Sequence, residues 1–373
     1  MTSTARIFLC VAAGMLCLYA VASRALAVDT PLTGHLLGLP ELPGDGSRPS
    51  QPLRQLGERL FFDSRLSTDG KVSCRKCHDP GLSFTDGRAR SIGHEDRIGT
   101  RNAPSLINVA YQDSLFWDGR ATDLESQALA PLTNPIEHAL PSEQSIARIV
   151  RTDPTYEQAF LEAFGVQPDR IEAAHVAKAL SAYERTLLAG GSPFDRYSYG
   201  HDSTAMSAAA VRGLELFRGR AQCSSCHLIG QSSALFTDGQ FHMAPGGLPE
   251  EVSKSLSVLA RKVAQAAAVG SRIEVERLIT TDAGVAALGR FVVTLNPADI
   301  GKFKTPSLRN VSLTAPYMHD GSVDTLERAV DEELYSRGGG VSHPIALTVS
   351  ERHDLVEFLR ALVSPYIATA PPP

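Results

Sequence analysis

The sequence predicts a mainly α-helical protein with little β structure, built as two halves related by an internal repeat. Three observations predict it. Apolar residues recur at three- and four-residue spacing through the longer segments, the mark of helices with one buried face. The pattern Cys-x-x-Cys-His occurs twice, as Cys74-Arg75-Lys76-Cys77-His78 and Cys223-Ser224-Ser225-Cys226-His227. A block beginning at Pro104 returns without gaps at Pro306. Self-similarity of this kind fixes an architecture before any single element does.

The N-terminus is set apart from this pattern. Arg6 gives a positive start, residues 7–21 are almost wholly apolar, and Ala25-Leu26-Ala27 has the form of a leader cleavage site. Residues 1–27 therefore read as a secretory signal peptide, which places the mature protein in the periplasm. The apolar run is short for a membrane span, and no later stretch approaches one. The leader takes Cys10 and Cys17 with it, leaving Cys74, Cys77, Cys223 and Cys226 of the six cysteines. It also removes Arg6 and Arg24 and no acid, so the formal charge goes from −5 to −7. A mildly acidic chain with no basic cluster is a poor nucleic-acid binder.

Each remaining cysteine pair is followed at once by histidine, which is the signature of c-type haem attachment. The spacing follows from the chemistry: two thiols must meet the two vinyl groups on one porphyrin edge, and the next residue must bring an imidazole under the iron. A zinc site lacks a second ligand pair in either half, and its tetrahedron suits a Cys-His neighbour poorly. The expectation is two covalent haems, with His78 and His227 as iron ligands.

The surroundings of the motifs repeat as well. Leu60-Phe61-Phe62-Asp63 precedes the first and Leu216-Phe217-Arg218-Gly219 the second, while Phe84-Thr85-Asp86-Gly87 and Phe236-Thr237-Asp238-Gly239 follow them. Pro104-Ser105-Leu106-Ile107-Asn108-Val109 matches Pro306-Ser307-Leu308-Arg309-Asn310-Val311 at an offset of 202 residues. Two cytochrome c-like haem domains follow, an N-terminal one over residues 28–203 and a C-terminal one over 204–373. Between the motifs, residues 142–150, 155–164 and 169–188 carry helical spacing, with Ile171, Val176, Leu180, Tyr183 and Leu187 as one buried stripe. Gly190-Gly191 ends it, and residues 192–204 read as a linker. The second half holds an additional Ala-rich helical stretch over residues 248–275.

With these blocks in view, the chain resembles the bacterial dihaem cytochrome c peroxidase and MauG superfamily. The resemblance rests on Phe116-Trp117-Asp118-Gly119-Arg120, Asn134-Pro135-Ile136-Glu137, Ser192-Pro193-Phe194-Asp195, Thr305-Pro306-Ser307-Leu308-Arg309-Asn310 and the run from Leu313 to Gly321. It implies that the first haem, held by His78, reacts with peroxide, and that the second, held by His227, handles electrons. It implies a tryptophan between the haems at Trp117, a distal acid and amide at Glu137 and Gln127, and a calcium ion on Asn102, Thr314 and Pro316. Gln127 falls on a short helix expected to end before Pro131. Ser91-Ile92-Gly93-His94 matches the stretch that supplies a distal histidine in peroxidases needing reductive activation, which makes His94 a candidate ligand.

The resemblance implies hydrogen peroxide as substrate and a small periplasmic cytochrome c or cupredoxin as electron donor. A second reading is MauG-like, the oxidation of a partner protein's residues to mature a quinone cofactor. A third is a non-catalytic dihaem carrier, in which Glu137 and Gln127 are idle. The second haem's distal ligand separates the branches. Fourteen residues after His319, where peroxidases proper carry methionine, stands Glu333. Two residues on, Tyr335-Ser336-Arg337 fits the tyrosine of the MauG-like branch, so Tyr335 is the expected ligand and Met318 its rival.

Overall fold

The computed structural model describes residues 36–44, 48–270, 272–338 and 345–365, so the leader reading lies outside the described residues. Helix α1 (Gln51–Phe62) starts on a proline in its first turn and buries Leu56, Leu60 and Phe61. Helices α2 (Leu124–Thr133), α3 (Glu143–Arg151), α4 (Pro154–Phe164) and α5 (Ala173–Glu184) follow. α1 crosses α5 at Gly57, where a Cβ would lie 1.8 Å from the Ala179 carbonyl oxygen, so only glycine allows the approach. Phe61, Phe84, Tyr156, Phe160, Val176 and Leu180 fill the core around that crossing. Each such buried side chain contributes about 1.5–3 kcal/mol.

The same device recurs beyond α6 (Pro193–Ser198). Helix α7 (Ala208–Arg218) crosses the last helix of the chain at Gly213, whose Cβ would lie 2.0 Å from the Asp354 carbonyl oxygen. Phe217, Phe236, Leu355, Phe358 and Leu359 pack there. Strand β1 (Phe241–Met243) pairs antiparallel with β2 (Lys302–Lys304), Phe241 opposite Lys304. Between these strands run α8 (Glu250–Ala268), α9 (Arg272–Thr281), α10 (Ala283–Ala286) and α11 (Phe291–Thr294), which close a third core on Val263, Leu278, Val285 and Leu288. Helices α12 (Leu326–Gly338) and α13 (Val349–Arg360) end the fold, which is mainly helical with one two-stranded sheet among the described residues. No helix there is long and apolar enough to cross a membrane.

Backbone conformations also match across the 202-residue offset read in the sequence. Asn108 and Asn310 are left-handed at φ 61° and 59°, Phe116 and Met318 at 65° and 71°, and Gly119 and Gly321 at 68° and 66°. Short 3-10 turns follow both asparagines, at Val109–Tyr111 and Val311–Leu313.

Four local expectations change. The helix expected to stop before Pro131 runs on to Thr133, because a proline this near the end removes a single intrahelical bond, the one to the Gln127 carbonyl. The periodic stretch over 169–188 is α-helical only from Ala173 to Glu184, after a 3-10 turn at Pro168–Arg170, although Ile171 and Leu187 are buried with the rest of the stripe. The stretch over 248–275 is two helices, broken after Ala268 where Gly270 takes a φ of 68°. The segment read as a linker is no loose tether: Ser192, Phe194 and Asp195 are fully buried. Asp195 receives two bonds from the Arg309 guanidinium, both 2.9 Å, and the same guanidinium donates to the Gly38 carbonyl at 2.6 Å. A charge pair this deep is tolerable only when both groups are fully hydrogen-bonded.

Candidate haem centres

Both Cys-x-x-Cys-His motifs are short 3-10 turns, Cys74–Lys76 and Cys223–Ser225, so each histidine follows directly on a tight bend. The two open on one cavity of about 1210 Å³, lined by Cys77, His78, Cys223, Cys226 and His227. That exceeds the roughly 300–1,000 Å³ of an ordinary single-ligand pocket. Cys74 packs at the edge of the first core, and all four thiols are free of disulfide bonds. Burial pushes the Cys77 thiol up to about 12. Such thiols are poor surface nucleophiles and well placed for a porphyrin bound in the cavity.

Both histidines are anchored through one ring nitrogen. His78 Nδ1 lies 3.0 Å from the Phe84 carbonyl oxygen, and His227 Nδ1 lies 2.9 Å from that of Phe236. A carbonyl on Nδ1 fixes the ring and leaves Nε2 as the metal-binding nitrogen. Burial lowers the His78 pKa, which favours the neutral, ligating form. Free paired thiols, anchored imidazoles and a cavity spanning both motifs fit two c-type haems. Cys226, Asp238 and His242 also bring donor atoms within 4.8 Å of one another, but thioether formation takes that sulfur.

Trp117 lines the cavity together with both motifs, and its indole donates to the Asn102 carbonyl at 3.0 Å. Glu137 and Gln127 line it as well, Gln127 from α2 and Glu137 from the turn after it. Asn134 Nδ2 donates to Glu137 Oε1 at 2.7 Å, and the Glu137 backbone N–H returns to the Asn134 carbonyl at 3.1 Å. Burial raises the Glu137 pKa, against the charge of Arg120 and the Asn134 bond, and the charge of Glu276 raises it further.

Arg120, within the Phe116–Arg120 block of the sequence, lines the same cavity. Its guanidinium lies 3.4 Å over the Phe116 ring and donates to buried Asp118 Oδ2 at 3.0 Å, and Arg101 Nη1 donates to the same oxygen at 2.7 Å. Burial alone would raise the Asp118 pKa, yet Arg120 and Arg101 hold it below the ordinary range. Thr100, Ile279 and Thr280 also line the cavity. No motif could have revealed the last two, because they come from the helical excursion between the strands.

His94 is not among the cavity-lining residues. It is buried with Nδ1 3.3 Å from Asp69 Oδ2, and its backbone N–H donates to the carbonyls of Ile136 and Glu137 at 2.9 and 2.8 Å. Asn102, Thr314 and Pro316 all lie on the cavity wall. Asn102 turns its side-chain nitrogen to the Arg88 carbonyl at 2.8 Å, which aims its oxygen elsewhere, as an oxygen ligand to a hard cation requires. Tyr335 and Met318 both line the cavity, and Glu333 does too. Tyr335 is 81% exposed on α12, so its ring is no core filler.

The fold and these two anchored motifs define a dihaem c-type cytochrome. The family model described as di-haem cytochrome c peroxidase matches residues 51–203. Cytochrome-c peroxidase IdrP1 of Denitromonas iodatirespirans is 36% identical over 368 residues, 95% of this chain and 92% of that protein. Methylamine utilization protein MauG of Methylorubrum extorquens is 37% identical over 314 residues, covering 82% and 77%. A crystal structure of a MauG-like protein associated with microbial copper homeostasis superposes with a TM-score of 0.70 at 30% identity, covering 90% of this chain and 96% of that one. The chain belongs to the di-haem cytochrome c peroxidase and MauG family, and is a haem oxidoreductase.

Proposed function

We propose that this chain is an exported dihaem peroxidase that reduces hydrogen peroxide to water with electrons from a small periplasmic cytochrome c or cupredoxin. The observation that carries the reading is the gathering of His78, Glu137, Gln127 and Arg120 on one cavity, with Trp117 on the same wall as both motifs. The reading includes two haem-bearing domains over residues 28–203 and 204–373, supported by the matched backbone conformations and the twin glycine crossings. When bound, haem supplies a redox-active iron at each centre, one for peroxide and one for electron entry.

The chain's own residues do the rest. The Phe84 and Phe236 carbonyls orient His78 and His227 so that Nε2 of each meets iron. Glu137 takes a proton from one peroxide oxygen and returns it to the other, a task its raised pKa suits. Gln127 orients the peroxide by hydrogen bonding. Arg120, fixed by Asp118, stabilises negative charge as the oxygen–oxygen bond breaks. Trp117 offers an oxidisable ring on the electron route. Asn102, through its side-chain oxygen, and Thr314 and Pro316, through their carbonyls, would hold a calcium ion. His94, its ring beside Asp69 and off the cavity wall, would reach a haem held by His78 only if the 91–99 loop turned.

Tyr335 on the cavity wall favours a second reading within the same family. Phenolate ligation of the second iron lowers its potential, which suits oxidation of a partner protein's residues. One experiment separates the readings. Reduced protein, shown by mass spectrometry to carry two haems, is mixed with peroxide while the spectra are recorded, with and without a small cytochrome donor. Fast turnover supports the peroxidase. A long-lived oxidised state without turnover supports the second reading, and no reaction refutes both in favour of a plain carrier.

A further inference from the structure

Lys304, the last residue of β2, is half-buried on the wall of the cavity that Trp117 also lines. Its backbone N–H donates to the Trp117 carbonyl at 2.9 Å, which fixes the strand against that residue. Its Nζ donates to Gln112 Oε1 at 2.5 Å and to the Ser114 carbonyl, two neutral acceptors. An ammonium has three N–H groups to place. Among the described residues, no carboxylate comes within ion-pair distance of this one. Asp118, whose charge acts on Lys304, is already shared by Arg101 and Arg120 at 2.7 and 3.0 Å. Burial pulls the Lys304 pKa down to about 8, even against the opposing charges of Asp118 and Asp113. An ammonium drawn this far out of water is costly unless an anion meets it. The strand contact does not ask for the charge. The position 202 residues earlier is Asn102, whose N–H makes the matching bond to the His319 carbonyl at 3.0 Å with a neutral side chain.

We propose that Lys304 is a haem-anchoring residue, whose ammonium is the counter-ion of a haem propionate at the wall that Trp117 shares. The cofactor supplies what the chain does not, because a haem bound by its vinyl edge keeps two free carboxylates on the opposite edge. Gln112 and Ser114 hold the ammonium in place and leave one N–H for that carboxylate. A hydrogen bond between ionised partners is roughly twice as strong as a neutral one. The backbone bond that places Lys304 also holds Trp117, so one strand end positions both the cofactor's rim and the oxidisable ring. The proposal rests on the two-haem reading, and it stands whether peroxide or a partner protein is the substrate.

The test uses the intact dihaem protein and reads each haem separately. Resonance Raman spectra give the propionate bending bands, and a spectroscopic redox titration gives each reduction equilibrium. Lys304→Gln keeps donors for Gln112 and Ser114 but removes the charge. It is expected to shift the propionate band of one haem and to make that haem about tenfold harder to reduce, because the positive charge that favoured reduced iron is gone. The haem that moves is the one that supplies the carboxylate. Lys304→Met stands in for it should that variant lose its native haem spectrum. Lys304→Arg keeps the charge and stays close to the parent in both readings. Lys302→Gln, two residues earlier and paired with Asp299 at 3.3 Å, moves neither and controls for net charge. Equilibria within about twofold of the parent at both haems of Lys304→Gln, with unmoved bands, overturn the proposal. An arginine variant that behaves like the glutamine one overturns it too, and leaves Lys304 as a neutral tie to Gln112 and Ser114. A parent that carries fewer than two haems by mass overturns the two-haem reading instead, and that failure is seen before any variant is made.

Discussion

Replacing Glu137 by glutamine changes the candidate acid–base group and almost nothing else. Glu137 Oε1 accepts from Asn134 Nδ2 at 2.7 Å, and the glutamine carbonyl oxygen can keep that bond. Burial raises the pKa of the native carboxyl, so the neutral amide should not weaken the fold. What is lost is the capacity to carry a proton between the peroxide oxygens. That capacity is worth about a hundredfold to ten-thousandfold in rate, or about 3–5 kcal/mol of barrier. The assay is stopped-flow mixing with hydrogen peroxide, with both haem spectra of the variant first matched to the parent. The pH profile adds an independent sign. Glu137 must be a carboxylate to accept the first proton, and its pKa is raised, so the parent's rate climbs with pH through a midpoint above the usual carboxylate value. In Glu137→Gln that rise disappears. A variant within threefold of the parent, or one that keeps the rise, refutes the assignment.

Other perturbations test other parts of the molecule. Tyr335→Phe should alter the second haem's spectrum and raise its potential in a redox titration; an unchanged spectrum, or a methionine–iron band in the parent's near-infrared, excludes the phenolate. Arg309→Met removes both bonds to Asp195 and strands a buried carboxylate, which should cost about 3–5 kcal/mol in denaturant unfolding, with part of it restored by adding Asp195→Asn. A loss under about 1 kcal/mol would refute the view that this buried pair supports the fold. Burial raises the Glu184 pKa to about 8, so the folded state holds a proton that the unfolded state releases near 4.5. Stability is therefore whole below pH 4.5 and declines toward pH 8, by at most about 5 kcal/mol. Glu184→Gln should abolish that decline, and melting curves at pH 5 and pH 8 that respond equally to the substitution contradict it.

Much of this was readable because short-range chemistry wrote it. Cys-x-x-Cys-His spacing is dictated by the porphyrin, and the stripe of Ile171, Val176, Leu180, Tyr183 and Leu187 is buried as its periodicity required. Long-range partners left no such trace. Nothing near Asp195 announces that Arg309, 114 residues away, neutralises it, so a buried hinge read as a linker. The Pro131 error came from treating proline as an absolute stop, when its cost falls off at a helix end. Arg120 was visible within a motif, but its role depended on Asp118 and Phe116 being folded beneath it. Ile279 and Thr280 are ordinary residues on an ordinary helix. Only the docking of α9 against Thr100 gives them a place at the site.

The Arg309 guanidinium also imposes an order on how the molecule is made. It joins Asp195 to the Gly38 carbonyl, 271 residues upstream, and donates to Ala234 at 2.7 Å. Synthesis from the N-terminus delivers both thiol pairs well before it delivers this residue. Cys74, Cys77, Cys223 and Cys226 are therefore made while the molecule still lacks this contact. Links of such high sequence separation form late in folding, since the loop they close carries the largest entropy cost. That tie can close only after both thiol pairs are made, so porphyrin would have its opportunity to enter before it does.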